Sequence, residues 1–102
     1  MTKAITSVPV RFAPGNRVRV RRAFPPGHVR TPFYLRGCVG VVERVCGTYP
    51  NPEELAYARD GLPPEPLYRV RFRQMDVWED YQFGENDTLD VEVYQHWLES
   101  SS

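Results

Sequence analysis

The sequence predicts a mostly β fold, a small antiparallel barrel of about five strands with one short helix in a loop. Three observations point there. Apolar and charged residues alternate in short runs, with Val18 and Val20 among arginines, then Tyr68, Val70 and Phe72, then Leu89, Val91 and Val93; a period of two marks strands with one face buried. Turn-forming residues punctuate those runs. Ten prolines in 102 residues argue against a helix bundle, because proline interrupts helices. Curling such short strands towards closure removes the open edges they would otherwise present. The length suits one domain with one modest core.

The elements follow in order. Residues 1–13, polar and aperiodic with Pro9 among them, read as an extended arm. The barrel domain is expected over 14–99. Pro14-Gly15 makes a turn, and residues 16–22 form a strand with Val18 and Val20 on one face and Arg17, Arg19 and Arg21 on the other. Pro25-Pro26-Gly27 ends it. Residues 23–37 form a long irregular loop held by Pro25, Pro26 and Pro32 and by Phe24, Phe33 and Tyr34; long stiff loops in compact domains are often functional. Residues 39–45 form the second strand, closed by Cys46-Gly47. Asn51 is a good helix N-cap, Pro52 fits the first helical position, Glu53 and Glu54 suit the helix dipole, and Asp60-Gly61 stops the turn. Strands are then expected over 67–73, 75–79 and 88–94. Residues 95–99 read as a single closing turn with Trp97 and Leu98 docked inward, and 100–102 as a disordered tail.

Zero net charge conceals an asymmetry. Residues 1–46 carry nine basic residues against Glu43 alone, and residues 47–102 carry four arginines against twelve acids. One reading is a basic face for an anionic ligand such as a phosphate backbone. The reading preferred here is that the two halves fold together and their charges meet across strands. Strand one shows valines where a nucleic-acid surface would interleave aromatics with arginines, so no nucleic-acid partner is expected. Twelve of the thirteen basic residues are arginine, a bias towards planar, bidentate recognition. No apolar run approaches the ~20 residues of a membrane span. Cys38 and Cys46 lie in valine-rich stretches and read as small reduced hydrophobes in a cytoplasmic protein.

No catalytic constellation is evident. There is no G-x-S-x-G and no phosphate-cradling glycine loop. Asp76, Glu79 and Asp80 beside Trp78 read as a solvated acidic loop. With no CxxC, and only His28 and His96 to add imidazole, no metal site is expected in this chain. The informative stretch runs from Pro26 to Gly37. It holds Arg30 and Arg36 among prolines and aromatics, donors suited to a carboxylate, phosphate or oxidised sulfur. The plain alternative is that both arginines pair with acids of the other half.

This stretch, Gly27-His28-x-Arg30-x-Pro32-x-Tyr34-x-Arg36-Gly37-x-x-Gly40, resembles the C-terminal half of nitrile hydratase β subunits. Gly15-x-x-Val18-Arg19-Val20, Pro52 with Glu53, Leu55 and Ala56, Tyr68-x-Val70-x-Phe72, Val77-Trp78 and Asp87-Thr88…Val91…Tyr94…Leu98-Glu99 extend the likeness from about residue 12 to residue 99. The resemblance implies an SH3-like barrel, in agreement with the strand pattern.

It also implies a subunit that binds no metal itself. In the family, an α-type subunit holds cobalt(III) or iron(III) through a Cys-x-x-Cys-Ser-Cys motif with two oxidised cysteines, and β-subunit arginines bond their oxygens. The matching position here is Arg30; His28, Pro32, Tyr34, Arg36 and Trp78 would support the loop or line the interface. Sulfenates are open to further oxidation or exchange, and a fixed guanidinium orients and tunes them. The family's helical N-terminal half, source of a further site arginine, has no counterpart here, so a third subunit equivalent to it is expected, as in split-subunit relatives. The expected activity is that of a heteromeric nitrile hydratase acting on a small nitrile, the chain being inactive alone. The alternatives are a thiocyanate hydrolase subunit, and a stand-alone SH3-like binding module or subunit chaperone.

Overall fold

The computed structural model describes residues 8–22, 33–55 and 60–101. Five strands, β1 (Arg17–Val20), β2 (Val39–Tyr49), β3 (Glu65–Arg73), β4 (Thr88–Tyr94) and β5 (Leu98–Ser100), make one antiparallel sheet in the order β4-β3-β2-β1-β5. Two short helical turns, α1 (Pro52–Leu55) and α2 (Gln74–Val77), and two 3-10 turns, at Phe33–Leu35 and Gln95–Trp97, connect them. The Gln95–Trp97 turn joins β4 at one edge of the sheet to β5 at the other. So short a link requires the sheet to curl until its edges are neighbours, which makes it a barrel. Register shifts in the β2–β3 ladder at Val42/Arg44 and Val45/Gly47 supply local bending.

The alternation read from sequence places the core. Val18 and Val20 of β1, Tyr68, Val70 and Phe72 of β3 and Val93 of β4 are fully or almost fully buried, and Leu35, Trp97 and Leu98 join them from the connections and β5. Phe12 from the arm is also buried, set edge-on against Tyr68 at 5.5 Å between ring centres. Arm residues 8–13 are therefore tied to the barrel. The N–H groups of Arg11 and Phe12 donate to the Tyr68 hydroxyl at 3.2 and 3.3 Å. Tyr68 in turn donates to Gln95 Oε1, and Gln95 Nε2 donates to the Pro9 carbonyl at 2.9 Å.

Two expectations are corrected. The strand expected over 75–79 is instead the turn α2, since the Gln74 N–H is taken by the Asp87 carbonyl and the Trp78 N–H by the Gln74 carbonyl. The fifth strand comes from the polar end of the chain: β5 pairs with β1 through Val18↔Ser100, Arg19↔Glu99 and Val20↔Leu98. Ser100 is thus a strand residue, and the Ser101 N–H donates to the Arg17 carbonyl at 3.1 Å. Across the halves, the β1–β5 register sets Arg19 opposite Glu99, while the ion pairs between described residues on the sheet face stay within one half. Arg69–Glu92 at 3.6 Å, Arg71–Asp90 at 2.8 Å and Arg73–Asp76 at 2.9 Å all lie within the second half. The register explains this, because β3 and β4 are adjacent and both come from that half.

Candidate functional site

His28, Arg30 and Pro32 lie outside the described residues; Tyr34, Arg36 and Trp78 lie within them. The loop's C-terminal end is fixed from below by Leu35, which is fully buried. Backbone bonds then stitch it to β1: Gly37 N–H to the Val20 carbonyl at 2.7 Å, and Val20 N–H to the Cys38 carbonyl at 2.9 Å. Gly37 adopts φ +86°, and a β-carbon there would collide with the Arg22 side chain, so the turn needs glycine.

Above this anchor, Tyr34 stacks on Trp78 with ring centres 4.8 Å apart and planes at 29°. Both rings remain about two-fifths exposed. The Trp78 indole N–H donates to Gln74 Oε1 at 2.7 Å. Cys38 Sγ sits beneath it, within 3.7 Å of the Tyr34 carbonyl and 3.8 Å of the Asp76 carbonyl. Burial, and then the Asp76 carboxylate, push the Cys38 thiol above its ordinary pKa, which disfavours the reactive thiolate. Cys38 and Cys46 are both half-buried free thiols rather than core residues.

Arg36 is held differently. Its guanidinium carbon lies 5.1 Å from the Trp97 ring centre, a cation–π arrangement. The Trp97 indole N–H donates to Glu53 Oε1 at 2.6 Å, and Glu53 Oε2 lies 3.3 Å from His96 Nε2. Burial pushes the Glu53 carboxyl up, but the indole donor, the nearby His96 and the carboxyl's own backbone N–H outweigh it and hold Glu53 below its ordinary pKa. Sequence reasoning missed this network, whose partners are more than forty positions apart.

The acidic loop residues Asp76, Glu79 and Asp80 are all exposed, and Asp76 is engaged by both arms of the Arg73 fork at 2.9 and 3.1 Å. A shallow 460 Å³ cleft beside α1, bordered by Tyr49, Leu55, Leu67 and Tyr94, is lined by none of the candidate site residues Tyr34, Arg36 and Trp78. Among the described residues, no three His, Cys, Asp or Glu side chains converge as metal ligands, and no helix is long and apolar enough to cross a membrane.

The class is thus an SH3-like barrel that frames a surface loop with an aromatic stack and a ring-bound arginine. The family model for the nitrile hydratase beta subunit, C-terminal, matches residues 2–100, and the chain belongs to that family. It is 33% identical over 92 residues to a nitrile hydratase subunit beta from Rhodococcus erythropolis, covering 89% of this chain and 42% of that protein. It is 40% identical over 72 residues to a cobalt-containing nitrile hydratase subunit beta from Pseudonocardia thermophila, covering 69% and 30%. Among solved structures, a chain of the recombinant apo-enzyme form of thiocyanate hydrolase from Thiobacillus thioparus superposes with a TM-score of 0.87 at 30% identity, over 93% of this chain and 79% of that one. The chain therefore spans less than half the length of these nitrile hydratase β subunits, but about four-fifths of the thiocyanate hydrolase chain.

Proposed function

We propose that this chain is the small barrel subunit of a heteromeric nitrile hydratase, an enzyme that adds water to a nitrile to give an amide. The observation that carries the reading is the family match over residues 2–100 together with the Gly27-His28-x-Arg30 loop motif. The partner is a metal-bearing α-type subunit, and a third chain supplies what the relatives' other half supplies. The metal, cobalt(III) or iron(III), belongs to the partner, where it serves as a Lewis acid towards the nitrile or water. A relative described as cobalt-containing favours cobalt.

In this reading Arg30 donates its planar fork to the oxygens of the partner's oxidised cysteines. Two parallel N–H donors fix an oxyanion's orientation and lower its basicity, which a single ammonium cannot do. The Tyr34–Trp78 stack and the Arg36–Trp97 contact brace the C-terminal end of the same loop and offer apolar and cationic surface to the partner. Aromatic and arginine side chains of this kind anchor protein interfaces.

Arg30→Lys in the reconstituted complex tests the assignment. Turnover is expected to fall about 10- to 100-fold, as for other residues that orient metal ligands, with the melting temperature of the subunit unchanged. Undiminished turnover would remove Arg30 from the site. A second reading, a thiocyanate hydrolase subunit, is favoured by the TM-score of 0.87 and the closer match in chain length. Turnover of nitrile against thiocyanate by the same complex separates the two. A subunit chaperone would be identified by a metal-loaded complex that turns over equally well after this chain is removed.

A further inference from the structure

Across the middle of the sheet, short side chains are flanked by long cationic ones. Arg17 and Arg19 point outward from β1, Val39 and Val41 from β2, and Arg71 and Arg73 from β3. The registers Arg17↔Val41 and Val41↔Arg71 place an arginine on each side of the same valine. The result is a trough of about 340 Å³ with a valine floor, Arg17 on one side and Arg71 and Arg73 on the other, with Asp76, the partner of Arg73, at its border.

The two walls differ in how their guanidinium groups are paired. Arg71 grips Asp90 through two bonds of 2.8 and 2.9 Å, and Arg73 grips Asp76 in the same way. These forks are held in place, and each retains donors beyond the two it uses. Arg17 and Arg19 form no ion pair with any described residue, although Glu99 lies opposite Arg19 in the β1–β5 register. Among the described residues, then, the positive charge of that wall is engaged in no ion pair.

We propose that this trough is a docking site for an extended acidic segment of a partner polypeptide. Charge complementarity points to carboxylates, which the arginine fork matches in geometry. Spacing points to an extended chain. Alternate residues of a strand stand roughly 6.7 Å apart, the same repeat as side chains on one face of an extended peptide. β1 and β3, two strand spacings apart, set the walls about 9.5 Å from each other, room for one such chain over β2. Among the described residues no aromatic ring lines the trough, which argues against the stacking platform that a single-stranded nucleic acid uses. One end is continuous with the proposed interface, since Cys38 bridges the Asp76 and Tyr34 carbonyls. The docking site goes beyond the enzymatic reading and needs neither Arg30 nor a particular substrate.

The test is an NMR titration of the full chain at low salt with a short peptide of alternating Glu and Thr. Saturable shifts are expected at the Val39 and Val41 methyls and the Arg17 Nε–H. Arg17→Gln with Arg19→Gln, both at exposed positions, is expected to weaken binding about tenfold without moving the melting temperature. The same peptide with Gln for Glu is expected not to bind. Absence of saturable shifts, shifts confined to another face, equal affinity in the double variant, or tighter binding of an oligothymidylate of matched length would each overturn the proposal. Loss of activity in Arg30→Lys with trough binding intact would separate this site from the enzymatic one.

Discussion

A methyl group at Gly40 would stand 2.7 Å from Val70 Cγ1, 2.8 Å from the Arg71 carbonyl oxygen and 2.9 Å from Phe72 Cδ1. The side chains could shift, but the carbonyl belongs to the β2–β3 ladder and cannot. Gly40→Ala is therefore expected to cost about 1–3 kcal/mol as an overpacked core position, read as a lower urea midpoint with an unchanged slope. Sequence marked Gly40 as part of a spaced glycine motif without saying what the missing side chain makes room for. The same holds for Trp78. Its place beside an acidic cluster was legible, whereas its partner Tyr34, forty-four positions away, emerges only when the loop and α2 are folded against each other. Single residues announced that they mattered; their contacts were not local enough to be read.

The strands were legible where one face meets core and the other water. β4 has the bounds that alternation assigns it, Thr88 to Tyr94, and β1 and β3 differ only at their ends. Met75 to Trp78 failed because two apolar residues three apart fit a helical turn as well as a strand. The bonds that decide it come from Asp87 and from Gln74 itself. β5 failed for the opposite reason: Leu98-Glu99-Ser100 has little strand propensity and pairs because β1 offers it an edge.

Two connections carry predictions. Tyr68→Phe removes the acceptor of the buried Phe12 N–H and one of the donors to Gln95 Oε1, which keeps the Arg11 N–H at 2.9 Å, so a loss of about 1–3 kcal/mol is expected in chemical denaturation. Proteolysis within residues 8–13 should rise with it. At α1, folding lowers the Glu53 pKa, so the folded state binds fewer protons than the unfolded one near that pH. The stabilisation is complete above the unfolded value, near pH ~4, and disappears as pH falls through the lower folded value. Glu53→Gln keeps an oxygen for the Trp97 indole but cannot ionise. Its melting temperature should fall less steeply on acidification than the parent's, and equal acid limbs would discount the interaction.

Charge in the whole molecule was legible as an imbalance between halves but not as a pattern in space. The topology puts β5 and β2 beside β1, so the second-half acid that the register brings to the β1 arginines is Glu99, opposite Arg19, and not the acids of β4. The acids of β4 are consumed by β3, and the β1 arginines are left facing water. Family membership, by contrast, was readable early because its motif is continuous in sequence, from Gly27 to Gly40, and needs no folding to be seen.

The hydrogen bond from Ser101 to Arg17 closes the barrel's own sequence into something near a ring, with first strand and last strand side by side. A unit whose first and last strands lie side by side, with the arm that precedes them packed onto the core through Phe12, can be joined to a neighbour, or detached from it, outside these elements without disturbing its interior. Gene fusion and fission then become inexpensive events for such a fold. That gives a physical reason why the same barrel occurs as under half of one relative's chain and as most of another's.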